Sequence, residues 1–250
     1  MATRRRFAEG RRRSGATAGR IDSWADLARL IESIATQRRN WIFRGEPSTT
    51  YELRPAAGRE GGDQGARRKT RYDEGDERAA LKRFRNDARP YVAYADYSDL
   101  EWLAVAQHHG MATRLLDWSE SLLVAAFFAV EAAGAHGHAL IYGISGLPVV
   151  DPREARDPFK IREVSIYRPP HVSPRIAAQR SIFTIHPDPT RPFEHLNLRT
   201  WVVSRQACSQ LKWILDSCAI NYASLFPDLE GLAAHVGWRY KWGMSQGYVR

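Results

Sequence analysis

The chain of 250 residues is predicted to fold as a single α+β domain, with a central, mostly antiparallel sheet flanked by helices. Hydrophobic residues make up 44% of the chain, which is enough for a sizeable core. Helical patterns dominate the first 130 or so residues, short strand patterns follow, and helices close the chain. This order differs from the regular strand and helix alternation that predicts a parallel α/β sheet.

The first half of the chain is predicted to be mainly helical. Residues 23–34 carry apolar side chains at helical spacing behind Ser23, which suits the N-cap position. Ser98 and Glu101 form a capping-box pattern, and Gly110 suits the end of the helix that they open. We interpret residues 113–118 as a tight connection between two packed helices. The predicted elements are helices over 23–34, 72–89, 98–109 and 122–133, and a short strand over 41–43.

The second half is predicted to supply most of the sheet. Runs rich in Ile, Val, Phe, Tyr and Thr, typical of strands, are followed by two further helical patterns. The predicted strands cover 138–144, 161–166, 181–185 and 200–203, and the predicted helices cover 205–216 and 227–240.

The positive charge is concentrated at the N-terminus. The formal net charge is +9, and residues 1–20 carry seven arginines and one glutamate, or +6, which leaves +3 for the remaining residues. We predict a disordered basic tail over residues 1–21 and one folded domain over residues 22–250. The tail could bind nucleic acid through the phosphate backbone, or it could serve only to increase solubility.

Several classes of protein are not supported by the sequence. The longest apolar run, residues 122–130, is too short to cross a membrane, so we expect no membrane partner and a cytoplasmic location. No His, Cys or acidic residues stand at ligand spacing, and no metal site is predicted. The glycines around residue 60 lack the context of a phosphate-binding loop, and no G-x-S-x-G elbow is present.

Three motifs resemble those of the FRG domain family. They are Phe43-Arg44-Gly45, the run from His109 to Ser119 with the apolar segment behind it, and the run 226–233. The resemblance covers about residues 22–236, and Glu46, Ser119 and Glu230 are mild departures from the family pattern. FRG domains occur in bacteria and phages, often among toxins and antiphage defence proteins, and their layout is similar to that of ADP-ribosyltransferases.

This resemblance implies an NAD-using ADP-ribosyltransferase-like toxin or antiphage effector that modifies a macromolecule, and a cognate inhibitor as a possible partner. NAD would be the substrate. Arg44 would clamp its diphosphate, because a guanidinium pairs bidentately with phosphate oxygens. Gly45 would let the ligand approach the backbone. Gln179 would orient the ribose or the acceptor, since an amide cannot act as a base. The predicted catalytic residues are Arg44, His109 and Gln179, and the predicted cofactor-binding residues are Phe43, Arg44, Gly45, Thr113, Arg114 and Asp117.

Other interpretations of these residues stay open at the sequence level. Arg44 could be a structural arginine paired with an acid such as Asp117 or Asp228, and Asp117 could instead fix Arg114. Glu46 or Glu230 would have to supply a general base if the reaction needs one. The whole protein could also be a non-catalytic nucleic-acid-binding module, or a metal-independent nuclease that uses His108 or His109.

Overall fold

The computed structural model of the chain describes residues 16–59, 71–92, 96–132, 137–151, 157–170 and 174–241. Within these ranges it contains seven strands and eight α-helices. The strands are β1 (Ala16–Ile21), β2 (Trp41–Glu46), β3 (Leu115–Ser119), β4 (Ala139–Ser145), β5 (Ser165–Tyr167), β6 (Ser181–Ile185) and β7 (Arg199–Val203). The helices are α1 (Trp24–Thr36), α2 (Glu74–Asp87), α3 (Asp99–His108), α4 (Leu122–Glu131), α5 (Pro174–Ala178), α6 (Arg205–Ser217), α7 (Tyr222–Leu225) and α8 (Leu229–Lys241).

The strands form one sheet in the order β1-β7-β4-β2-β3-β6-β5. Every neighbouring pair is antiparallel except β1 with β7, which is parallel. The predicted α+β class with a mostly antiparallel sheet is therefore confirmed.

Helices and loops cover the two faces of this sheet in different ways. Helices α1, α4 and α6 pack over the face that carries Phe43, Ile141 and Val203, and α2 and α3 pack over Leu115 and Phe183. The opposite face carries Ile42, Leu116, Trp118 and Ile182, which pack against Leu53 and Phe193 from connecting segments. Alternation of side chains along each strand produces this division, because neighbouring residues of a strand point to opposite faces.

Two predictions about the backbone were wrong. Residues 113–118 do not form only a connection between helices, because Leu115–Ser119 is β3, an interior strand between β2 and β6. Residues 16–21 were predicted to belong to the disordered tail, and they form β1, which is held by backbone pairing with β7. Residues 1–15 of the predicted tail lie outside the described residues.

The helix termini follow their local sequence. Ser98 and Glu101 form the predicted capping box at the start of α3, and Ser23 caps α1. At the end of α3, Gly110 adopts a φ of +87°, a conformation in which glycine avoids the steric cost of a side chain. The chain can therefore turn sharply from α3 into β3, and this turn brings the C-terminal end of α3 to the edge of a cleft.

Candidate functional site

A cleft with a volume of about 430 Å³ lies over β2, β3 and β6. Strand register explains its floor. Phe43 lies opposite Ser119 and Ser119 opposite Ser181, while Asp117 lies opposite Phe183, so these five residues share one face of the sheet. The walls come from the end of α3, from α4 and from α5. The wall residues are Gln107 and His108, then Ala125, Phe128 and Glu131, then Arg175, Ile176 and Gln179.

Arg44 reaches the cleft because β2 and β3 are paired at only one position, Phe43 with Ser119. Its Nη1 donates a hydrogen bond of 2.7 Å to the backbone oxygen of Asp117. Its Nε and Nη2 lie 2.8 and 2.7 Å from Oε1 of Glu46. The guanidinium thus bridges the two strands where their backbone ladder ends, and 16% of the Arg44 side chain is exposed.

The surroundings of Arg44 keep it charged. Burial acts to lower the pKa of Arg44, but the carboxylates of Glu46 and Asp117 outweigh burial, and the pKa is raised. The Asp117 carboxylate is 3.7 Å from Nη1 of Arg44. The predicted structural pairing of Arg44 with Asp117 is therefore present, although the closer carboxylate partner is Glu46.

A second arginine, Arg175, lies on the wall of the cleft that α5 forms. Its Cζ atom lies 4.1 Å from the centre of the Phe226 ring, a distance typical of a cation–π contact. Burial lowers the pKa of Arg175, against the opposing effect of Asp228 and Asp117. Arg175 was not predicted from the sequence. It precedes Gln179 by four residues across the single turn of α5, and that spacing is a signal by which Arg175 could have been found.

Gln179 lines the cleft, as expected from the sequence, and is held at both its side chain and its backbone. Its Nε2 donates to the backbone oxygen of Leu225 at 3.0 Å, and its own backbone oxygen accepts a bond of 2.8 Å from the Ser119 hydroxyl. The side-chain amide is therefore oriented by α7, and the backbone of Gln179 is tied to β3.

Of the two neighbouring histidines, His108 lines the cleft and His109 does not. Their rings are 5.0 Å apart, and His109 is exposed as the residue that caps α3. Burial lowers the pKa of His108, and the neighbouring Arg175 and His109 lower it further against the effect of Asp117. The predicted catalytic position at His109 is thus outside the cleft, because successive helical residues differ in direction by about 100°.

Arg114 and Thr113 were predicted to bind cofactor, and the structure places both of them outside the cleft. The Arg114 side chain is fully buried, with Nη2 at 3.1 Å from Glu77 Oε2 and 2.7 Å from the Tyr72 hydroxyl. Its guanidinium also stacks on the Phe159 ring. An arginine with its charge satisfied in this way stabilises the packing of α2 on β3 and cannot contact a ligand in the cleft.

Thr113 acts on the cleft indirectly. Its hydroxyl donates to Gln107 Oε1 at 2.5 Å, and Gln107 Nε2 donates to Asp117 Oδ2 at 2.9 Å. Sequence reasoning did not single out Gln107, which orients Asp117 from the end of α3. The interpretation in which Asp117 fixes Arg114 is wrong, because the Asp117 carboxylate faces Gln107 and Arg44.

Gly45 has a packing role that the sequence did not reveal. A Cβ atom built on Gly45 would lie 1.9 Å from the backbone oxygen of Ala125 and 2.5 Å from the backbone nitrogen of Ala129. Glycine therefore allows β2 to approach the backbone of α4. Gly45 also borders the cleft, so the prediction that it lets a ligand approach the backbone stays a prediction beside this close helix contact.

The acids that the sequence offered as general bases are not well placed. Glu46 is paired with Arg44, and Glu230 does not line the cleft. Asp228 accepts a hydrogen bond of 2.7 Å from the backbone nitrogen of Gly231, so it caps the start of α8. The carboxylates that border the cleft are those of Asp117 and Glu131, and Glu131 was not predicted.

These features define an α+β domain with a ligand-sized cleft that holds both cationic and anionic groups. The family model of the FRG domain matches residues 39–137, so this part of the chain is similar to FRG domains. The matched stretch includes Arg44, His108, Asp117 and Glu131 and ends before the wall formed by Arg175 and Gln179. Neither the curated proteins nor the solved structures give a match to the chain.

Among the described residues, no helix is both long enough and apolar enough to cross a membrane. Within the same ranges, no group of three or more His, Cys, Asp or Glu residues could hold a metal ion.

Proposed function

We propose that the cleft binds NAD and that the protein transfers ADP-ribose from NAD to a macromolecule. The observation that carries this proposal is the meeting of Arg44, Asp117 and Gln179, from three distant parts of the chain, in one cleft with Arg175. This composition matches a ligand with an anionic diphosphate and a cationic nicotinamide ring. The resemblance to toxins and antiphage proteins supports a role as an effector, for which a cognate inhibitor would be the natural partner.

The two arginines would bind the diphosphate. Arg44 uses one N–H on each of its three nitrogens for Glu46 and Asp117, so each terminal nitrogen keeps a second N–H for an oxygen of the ligand. Arg175 lies on the wall that α5 forms, with its guanidinium held against Phe226. Two guanidinium groups at fixed positions suit the two phosphates of NAD.

The carboxylates and aromatic rings would act on the other end of the substrate. Phe43, Phe128 and Phe183 supply apolar surface on which a nicotinamide ring can pack. When the bond between ribose C1′ and the nicotinamide nitrogen breaks, nicotinamide leaves with the electron pair and positive charge develops on the ribose. Asp117 and Glu131 would stabilise this charge electrostatically.

His108 would complete the reaction with the acceptor. An oxygen or nitrogen of the acceptor attacks C1′, and its proton passes to the ring of His108. The lowered pKa of His108 favours the neutral ring, which can accept a proton at neutral pH. Gln179 would orient the ribose or the acceptor through its fixed amide. We place this reaction in the cytoplasm, where NAD is available.

A metal-independent nuclease is the second candidate, and one observation favours it. A neutral His108 beside the cationic Arg44 and Arg175 could also act as the base in cleavage of a phosphodiester. Strand cleavage in the absence of NAD would favour this candidate over ADP-ribosyl transfer. Binding of nucleic acid with neither cleavage nor NAD turnover would favour the non-catalytic module.

The experiment measures transfer of labelled ADP-ribose from NAD to RNA, DNA and protein acceptors by the purified protein. Arg44→Lys keeps the charge but loses the planar fork, and we expect transfer to fall by about 100-fold, as for loss of a donor that stabilises a transition state. Arg83→Ala is the matched control, because Arg83 lies on α2 with 85% of its side chain exposed. Thermal melting of both variants separates a loss of chemistry from a loss of folding.

Transfer that is lost in Arg44→Lys and retained in Arg83→Ala, with similar melting temperatures, would support the proposal. Absence of NAD turnover in the wild-type protein with every acceptor would refute it.

A further inference from the structure

A second cavity, with a volume of about 380 Å³, lies at the other end of β2 from the cleft. It is bordered by α1, by the start of β2 at Trp41, by the end of β4 at Ser145 and by the start of β7 at Arg199. Trp41 and Arg44 are three residues apart on β2, which corresponds to about 10 Å along a strand. The second cavity is thus a separate site on the same domain.

The charge of this cavity differs from that of the cleft. Its wall contains Arg39 and Arg199, and none of its lining residues is acidic. Within the described ranges, no ion pair with a carboxylate is formed by either arginine. Arg199 is fixed by hydrogen bonds from Nη1 to the backbone oxygens of Leu196 and Leu198, at 3.0 and 3.3 Å. Two guanidinium groups without a nearby acid attract an anion, and their planar geometry suits phosphate.

The neutral groups of the cavity suit the rest of a nucleotide. Gln37, Asn197 and Ser33 border it with amide and hydroxyl groups, and the rings of Trp41 and Trp201 border it with aromatic surface. Amides can hydrogen-bond the edge of a base, and an aromatic ring can stack on its face. The volume of the cavity is within the range of small-molecule sites.

We propose that this cavity binds the phosphate and base of a nucleotide unit, with Arg39 and Arg199 at the phosphate and the aromatic ring of Trp41 at the base. The unit could come from a free mononucleotide or from a single strand of nucleic acid.

The test measures binding of three probes to the full-length protein by calorimetry, with no NAD present. The probes are inorganic phosphate, adenosine monophosphate and a single-stranded oligonucleotide of twelve thymidines. Arg39→Ala is the main variant, because Arg39 is exposed and its loss should leave the fold intact. Trp41→Phe keeps an aromatic ring but reduces the area on which a base can stack, and Arg83→Ala is again the control.

We expect Arg39→Ala to weaken binding of the nucleotide probe about tenfold, the size expected for one charged hydrogen bond. Trp41→Phe should weaken it severalfold, and Arg83→Ala should leave it unchanged. If Arg39→Ala weakens binding of adenosine monophosphate, the ligand is a free nucleotide. If it weakens binding of the oligonucleotide alone, the ligand is a single strand of nucleic acid. For a strand, Arg39→Ala should also reduce the slope of log affinity against log salt by about 0.7.

Two results would overturn this proposal. One is equal binding of all probes by wild type and Arg39→Ala. The other is equal weakening by Arg39→Ala and Arg83→Ala, which would indicate attraction by overall charge. Because NAD is absent, neither result depends on whether the cleft turns over NAD.

Discussion

Substitution Gly45→Ala tests the packing role assigned to the glycine of the Phe43-Arg44-Gly45 motif. The added Cβ would lie 1.9 Å from the backbone oxygen of Ala125, and contacts below 3.0 Å essentially never occur for real Cβ atoms. The backbone of β2 fixes the position of the added Cβ, and the oxygen belongs to the backbone of α4, so the strand and the helix would have to separate by about 1 Å. This separation forfeits up to half of the dispersion energy at each contact between them.

The cost of this separation should be large, since seven of the ten residues of α4 are buried. We expect a loss of about 3 kcal/mol or more in the free energy of unfolding, at the upper end of the range for overpacked cores. Urea denaturation followed by tryptophan fluorescence gives this quantity. Complete loss of the cooperative transition would be the extreme form of the same outcome.

The matched control is Gly237→Ala on α8. A Cβ atom on Gly237 would meet no atom within 4 Å, so the same change should stabilise the helix by about 1 kcal/mol. A Gly45→Ala variant within about 0.5 kcal/mol of wild type, the usual spread of neutral surface changes, would refute the packing role. If such a stable variant also lost activity, Gly45 would instead serve the ligand.

Three further predictions concern titratable groups. Glu77→Gln removes the closer carboxylate partner of the buried Arg114 and leaves only the half-exposed Glu74, whose Oε2 lies 3.6 Å from Nη2. We expect about 3 kcal/mol less stability in urea denaturation. An unchanged midpoint would contradict the structural role of Arg114. Burial lowers the pKa of His186 to about 4, below its ordinary value of 6.5, so the unfolded state binds more protons between these values and stability falls as the pH drops through this window. The loss should reach about 3 kcal/mol by pH 4, at 1.36 kcal/mol for each pH unit, and His186→Asn should remove that part of the dependence. Because the pKa of His108 is lowered, activity that needs the neutral ring should be retained below pH 6.5. His108→Phe should abolish this activity. A wild-type activity that already declines above pH 6.5 as the pH is lowered would contradict this role.

Most of the fold could be predicted from local patterns, and the exceptions share one cause. Capping residues predict the starts of α1 and α3, and a run of apolar residues predicts α4. Strand β6 begins and ends at the predicted residues. Strand β1 is a run of Ala, Thr, Gly and Arg that lacks the alternation of a strand, and only pairing with β7, almost 200 residues away, makes it one. Strand β3 is short and carries Asp117, so its sequence resembles a loop.

The candidate site was predictable in part. Arg44, Asp117 and Gln179 were identified and lie together in the cleft. The choice between Arg44 and Arg114 could not be made from the sequence, because it depends on whether Glu77 approaches from α2. The choice between His108 and His109 depends on the residue at which α3 ends. A shift of one position on a helix turns a side chain toward the cleft or away from it.

The most direct test of the proposed function is a crystal structure of the protein with a hydrolysis-resistant analogue of NAD. The expected result is density in the cleft, with the diphosphate between Arg44 and Arg175 and the nicotinamide end beside Asp117 and Glu131. Density for the analogue at another place, such as the second cavity at Arg39 and Arg199, with an empty cleft at saturating concentration, would contradict the proposal.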